Sequence, residues 1–277
     1  MKARLKFQKY GAMKFIGHLD VMRYFQKAFR RAGYDSEYSK GFNPHQIMSF
    51  AAPLGVGLTS DAEYVDIGLI TCESPETMVK NINGVLSDGF YVTGFHILSE
   101  PEENEKKTTA MSLVSSADYL VSLKDGYSLD GIVSKESFQD LFNNFYGKQD
   151  IIIRKKTKKN DMDVNIRPMI TMVSFDEMSY NKGLRDCLAD ISKPIYNEQY
   201  HFIESDSKAE VYENDIKVYM QLDTGSASNL KPELVMEAFC NENGIFFNPY
   251  AWQIHRLEIY TRDEMSGKLI SLDRLDK

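Results

Sequence analysis

The first 98 residues alternate between two hydrophobic periods in a fixed order, and that order leaves few folds open. From Met1 to Tyr10, Ala3, Leu5 and Phe7 alternate with Lys2, Arg4 and Lys6, the period-two pattern of a half-buried strand. A connection from Gly11 to Gly17 leads to a helix over about 19–32. There Met22, Phe25, Phe29 and Ala32 advance by three and four and so share one face. Gly33 is placed to stop it. Strands at about 45–52 and 62–70 follow, then a helix at about 75–87 opened by Ser74 and Pro75, then a strand at about 89–98. Strand, helix, two strands, helix, strand is the split βαβ order of the ferredoxin-like fold.

The polar run 99–109 is a linker by composition. Beyond it the same order recurs with additions. A strand at about 117–124 and a helix at about 134–146 precede a hairpin of strands at about 150–157 and 163–174, turning at Lys158-Lys159-Asn160. An irregular stretch follows at 176–212, with a helical segment near 181–191. A strand at about 215–223, a helix at about 231–240 and a strand at about 251–262 complete the series, with Asn229 as the cap of that helix and Pro232 in its first turn. The expectation is an α+β chain of two ferredoxin-like (βαββαβ) lobes in tandem. Residues 1–99 form the first; residues 112–277 form the second, with an insertion around 176–212. A length of 277 residues is enough for two cores.

Charge separates the two ends. The formal net charge is −7, yet residues 1–50 hold ten lysines and arginines against Asp20, Asp35 and Glu37. That segment is +7 and the remainder −14, the asymmetry of a steering field for an anion. Three widely spaced cysteines, Cys72, Cys187 and Cys240, with no Cys-x-x-Cys, give neither a disulfide framework nor a cluster site. No apolar run approaches the length of a membrane span, so the expected setting is the cytoplasm, with no membrane partner.

Two segments carry a resemblance. One is Phe15-Ile16-Gly17-His18-Leu19-Asp20 with Met22-Arg23 and Ala28-Phe29-Arg30-Arg31-Ala32-Gly33. The other is Tyr38-Ser39-Lys40-Gly41-Phe42-Asn43-Pro44-His45, continued by Ser49-Phe50-Ala51, Pro53-Leu54, Gly57 and Glu63-Tyr64-Val65-Asp66. Together they resemble the radical-SAM-linked DUF2344 family, a bacterial family of unknown activity, most densely over residues 1–70. The resemblance implies a radical SAM protein as partner and a setting of tRNA or rRNA modification or processing. This chain has Gly17 where the family usually has Ser, and it lacks the cysteine motif of a radical SAM subunit.

The candidate residues follow from charge and turn chemistry. His18 and Asp20 lie at the start of the first helix, where an imidazole can serve as general base, or where either side chain can cap the helix. Arg23, Lys27 and Arg30 form one stripe, joined by Arg31 and Lys40. Gly41-Phe42-Asn43-Pro44-His45 is a turn that would present Phe42, Asn43 and His45 together for stacking a base, or tuck Phe42 into the core. Lys155 and Lys156 add a second basic element on the hairpin. Arg167 and Arg256 can each bind an anion or pair with an internal carboxylate, and the second is expected. No histidine pair has helical ligand spacing, and no motif calls for a metal or a cofactor. The expected function is a non-catalytic RNA-binding or adaptor protein serving a radical SAM enzyme. The alternatives are a metal-independent endoribonuclease of the Cas6 type using His18, and a protein–protein docking module.

Overall fold

The computed structural model describes residues 1–99, 108–156, 161–189, 199–225 and 228–275. The first half contains β1 (Lys2–Lys9), α1 (His18–Arg31), β2 (Met48–Phe50), β3 (Thr59–Gly68), α2 (Pro75–Asn83) and β4 (Phe90–Leu98). The second contains α3 (Ala110–Leu113), β5 (Ser116–Leu123), α4 (Lys135–Tyr146), β6 (Ile152–Lys156), β7 (Asp161–Asn165), β8 (Ile170–Ser174), α5 (Glu177–Cys187), β9 (Tyr200–Phe202), β10 (Lys217–Asp223), α6 (Pro232–Glu242), β11 (Trp252–Arg262) and β12 (Leu269–Ser271).

The strands build one mostly antiparallel ten-stranded sheet in the order β8-β10-β5-β11-β3-β1-β4-β9, with β2 on β3 and β12 on β11. β6 and β7 pair only with each other. The halves are therefore joined edge to edge, through a short parallel register of His255 on Thr59 and Arg256 on Ser60. One core gathers the apolar faces of β1, β3, α1 and α2, including Leu5, Phe7, Phe25, Phe29 and Val79. A larger one gathers β5, β10, α4 and α6, including Val121, Phe138, Phe142, Met220 and Phe239.

Local chemistry explains the boundaries. Ser74 and Ser134 cap α2 and α4 by accepting from the amides of Thr77 and Ser137. After α1, Gly33 takes φ +84°, a conformation open to glycine, and its amide bonds back to Arg30 O. Three expectations change. The strand foreseen at 163–174 is two strands. Arg167-Pro168-Met169 forms a 3-10 turn between them, because proline has no amide for the ladder and fixes its own φ. Residues beyond that turn leave the hairpin and join β10. Asn229 does not cap α6; it bridges to Thr224, and Lys231 stands at the cap without a side-chain bond. The linker 100–107 and the hairpin tip Lys158-Lys159-Asn160 lie outside the described residues.

Candidate functional site

Alternation along β1 sends Ala3, Leu5 and Phe7 toward α1 and α2, and Arg4, Lys6 and Gln8 to the other face. That other face is not solvent. Arg4 forms a two-pronged pair with Asp66 at 2.7 and 3.1 Å and donates to Leu272 O. Lys6 Nζ meets Glu258 at 2.5 Å and Asp273 at 3.0 Å. Burial opposes the charge on Lys6, but the two carboxylates outweigh it and hold its pKa well above the usual lysine value. Lys14 pairs with Glu210 at 2.5 Å. Lys9 continues the apolar face instead and is buried. Four of the ten cations that suggested a basic surface are thus buried or half-buried in internal contacts.

Of the others, all but the half-buried Lys2 lie outside. Arg23, Lys27, Arg30 and Arg31 are exposed on α1, away from the core face formed by Val21, Phe25, Ala28 and Phe29. Arg23 pairs with Asp20 at 3.3 Å, while Arg31 donates to Val85 O and lies over the Tyr24 ring. Among the described residues Lys27 and Arg30 have no carboxylate partner. The side chains of Lys155 and Lys156 lie outside the described residues.

At the N-terminal end of α1, Gly17 is the cap and no side chain serves it. Neither His18 nor Asp20 caps the helix: Asp20 reaches forward to Arg23, and the His18 ring stands edge-on to Phe50 at 5.1 Å. His18 shares a narrow cleft with Lys9, Glu63, Phe7, Pro53 and Leu54. Lys9 donates to Ile16 O at 3.2 Å. Glu63 accepts from Arg256 at 2.8 Å, and the same guanidinium donates to Ala52 O at 2.7 Å and lies over Tyr119. Ala52 has φ +30°, a strained value for a residue with a side chain, and this carbonyl bond helps hold it there.

Burial, with the charge of Lys9 second, lowers the pKa of His18, so its imidazole is neutral at pH 7. Burial lowers Lys9, opposed by Glu63 and reinforced by Arg256. Burial raises Glu63, with Arg256, Ser60 and Lys9 pulling the other way. A neutral base beside an ammonium and a carboxyl of perturbed acidity is equipment for proton transfer. Lys9, Glu63 and Arg256 were not singled out as a group by sequence. The available signal was phase: Lys9 follows Phe7 by two, and Glu63 precedes Val65 and Ile67 by two and four, so both sit at positions where the core side is apolar.

A second arrangement has the order of a nucleophile–base–acid relay: Thr59 Oγ1 is 2.8 Å from His255 Nδ1, and His255 Nε2 is 2.9 Å from Asp61. Thr59 and His255 are fully buried, so no substrate reaches them and the group serves the joint between β3 and β11. Of the two arginines expected to find internal carboxylates, Arg256 does. Arg167 instead donates to Tyr146 O and Ile170 O and stacks on the Tyr146 ring.

The Gly41–His45 turn closes an excursion that leaves β3 at the Leu69 end, through the Ser36–Leu69 and Tyr38–Gln46 bridges. His45 is tied to Ser39 by its amide and its ring, so it braces the turn. Phe42 and Asn43 stand exposed, with Phe42 outside any core, and Lys40 is exposed beside them. This turn lies at the end of β1 that starts with Lys2, and His18 at the end that finishes with Lys9. The two candidates are roughly 20 Å apart along the strand direction, with α1 running between them.

Among the described residues no helix is long and apolar enough to cross a membrane. No group of three or more His, Cys, Asp and Glu among them could hold a metal ion. Residues 2–232 match the family described as "Uncharacterized protein conserved in bacteria (DUF2344)". No curated protein matches the chain.

Proposed function

The chain belongs to the DUF2344 family, and from there we propose that it is a non-catalytic RNA-binding protein that lays single-stranded RNA along α1. The observation that carries this reading is the sorting of charge. Arg4, Lys6, Lys9 and Lys14 are buried or half-buried and already engaged, while Arg23, Lys27, Arg30 and Arg31 stay exposed on one helix. That helix leads from the exposed Phe42 to the cleft at His18. Cations track phosphates and an exposed ring stacks a base without regard to its identity.

The partner in this proposal is a radical SAM protein, as the segments at Phe15–Asp20 and Gly41–His45 imply, and the setting is tRNA or rRNA modification in the cytoplasm. The repeated strand orders β4-β1-β3-β2 and β11-β5-β10-β8 support reading the halves as two ferredoxin-like lobes sharing a sheet. The test is fluorescence anisotropy with single-stranded RNA and with tRNA across a salt series. Binding that weakens steeply with salt is expected; no binding at low salt overturns the RNA reading. Co-purification of a radical SAM protein that survives nuclease would then favour a docking module.

One observation favours a second reading, a metal-independent endoribonuclease. The neutral His18 imidazole faces a cleft it shares with Lys9 and Glu63. Total small RNA left intact by the protein in EDTA ends that reading; cleavage abolished in His18→Ala supports it.

A further inference from the structure

On the face of the second half away from α4 and α6, α5 and residues 207–217 enclose a cavity of about 340 Å³. That volume lies in the range of small-molecule sites. One side of it is apolar and partly aromatic, formed by Leu120, Leu257 and Tyr219, with Tyr180 stacked on Tyr219 at 4.9 Å and 18°. Two polar groups open into it without a protein partner. Ser122 is only 6% exposed, yet among the described residues its hydroxyl has no hydrogen bond. The Asn181 side-chain amide, half-buried on α5, has none among them either. The Ser122 hydroxyl is reached from the cavity, so a molecule seated there can bond it in place of water.

The charges of the lining restrict that something. Lys217 is its one cation among the described residues and is engaged by Asp215 at 2.6 Å. Asp215 also takes Lys135, Glu210 takes Lys14, and Glu177 has no cation among the described residues. Among the described residues no free positive charge in this lining awaits a phosphate or carboxylate, and the Glu177 carboxylate would repel one. An uncharged planar molecule with both donors and acceptors on its edge suits the site. Asn181 offers one donor group and one acceptor side by side, the pairing that an adenine edge takes. We propose that this cavity binds an unphosphorylated purine nucleoside, its base over Leu120, Leu257 and Tyr219 and its edge on Asn181 and Ser122. The site is separate from α1 and does not rest on the RNA reading.

Isothermal titration of the full chain with adenosine and with adenosine 5′-monophosphate tests the proposal. Adenosine is expected to bind, and the monophosphate at least about tenfold more weakly, since its charge meets uncompensated carboxylate. Asn181→Ala and Ser122→Ala should each raise the adenosine Kd by roughly three- to tenfold, the worth of one hydrogen bond, with unchanged melting curves. Asn181 is only half-buried and lines the cavity, so its replacement leaves the core untouched. No heat of binding up to about 1 mM adenosine, equal affinity for the monophosphate, or a Kd indifferent to both substitutions would overturn it.

Discussion

Arg256 Nη1 lies 2.8 Å from Glu63 Oε1, and this pair bolts the last long strand of the second half to the first. The same guanidinium holds Ala52 O, so one side chain fixes both the shared sheet and the strained turn beside the His18 cleft.

Replacing Arg256 with alanine leaves Glu63 buried without its ion-pair partner, and should cost about 3–5 kcal/mol in urea unfolding at neutral pH. Burial already raises the pKa of Glu63, and removing Arg256 takes away the main opposing influence. A raised carboxyl contributes stability below its unfolded value and loses it as pH rises, so the variant's deficit should shrink from pH 8 to pH 5. A deficit that does not change with pH would contradict this.

Asp118 is fully buried and accepts from Tyr180 at 2.7 Å and Tyr260 at 3.0 Å. Burial pushes its pKa from 3.8 to about 6, against the pull of Tyr180, Gln221 and Tyr260. Its contribution is therefore present below the unfolded value and disappears as pH rises through about 6. Asp118→Asn keeps an acceptor for both hydroxyls without the charge. The variant's stability relative to the parent should improve between pH 4 and pH 8 by something on the order of 3 kcal/mol, read by thermal unfolding.

His18 should titrate below the ordinary histidine range in an NMR pH series. Because burial is the larger cause and Lys9 the smaller, Lys9→Met should raise its midpoint only part of the way back. A depressed histidine contributes stability above its unfolded value and loses it as pH falls through the folded one, so His18→Gln should lose less stability than the parent on acidification.

On the RNA reading, Arg23, Lys27 and Arg30 replaced together by alanine should flatten the dependence of log K on log salt by about 0.7 for each phosphate no longer neutralised. All three are exposed and the Arg23–Asp20 pair is a surface pair, so the melting temperature should hardly move. An unchanged salt slope would place the RNA elsewhere.

Phe42→Ala should leave stability within about 0.5 kcal/mol, since the ring is fully exposed. If the ring stacks a base, RNA affinity should fall by about 1–3 kcal/mol in the same anisotropy assay.

Much of the fold was legible because it is local. The alternation of Ala3, Leu5 and Phe7, the apolar stripe of α1, the Gly33 stop and the Ser74 cap each follow from backbone geometry acting over a few residues. The departures have causes just as specific. Pro168 splits a strand whose residues alone look continuous. β9 and β12 are three-residue strands that exist because β4 and β11 offer them an edge.

Charge behaved otherwise. Arg4 and Arg23 are the same residue type in the same basic segment, yet one is buried against Asp66 and the other lies in solvent. The residues themselves determine local periods, stops and caps, because those depend on neighbours within one or two turns. Whether a cation is surface or interior, and whether Lys9, His18, Glu63 and Arg256 stand at one place, depends on strands more than 190 residues apart coming into register. Only the assembled sheet decides that, because the partner that offsets a charge's loss of water arrives through long-range pairing.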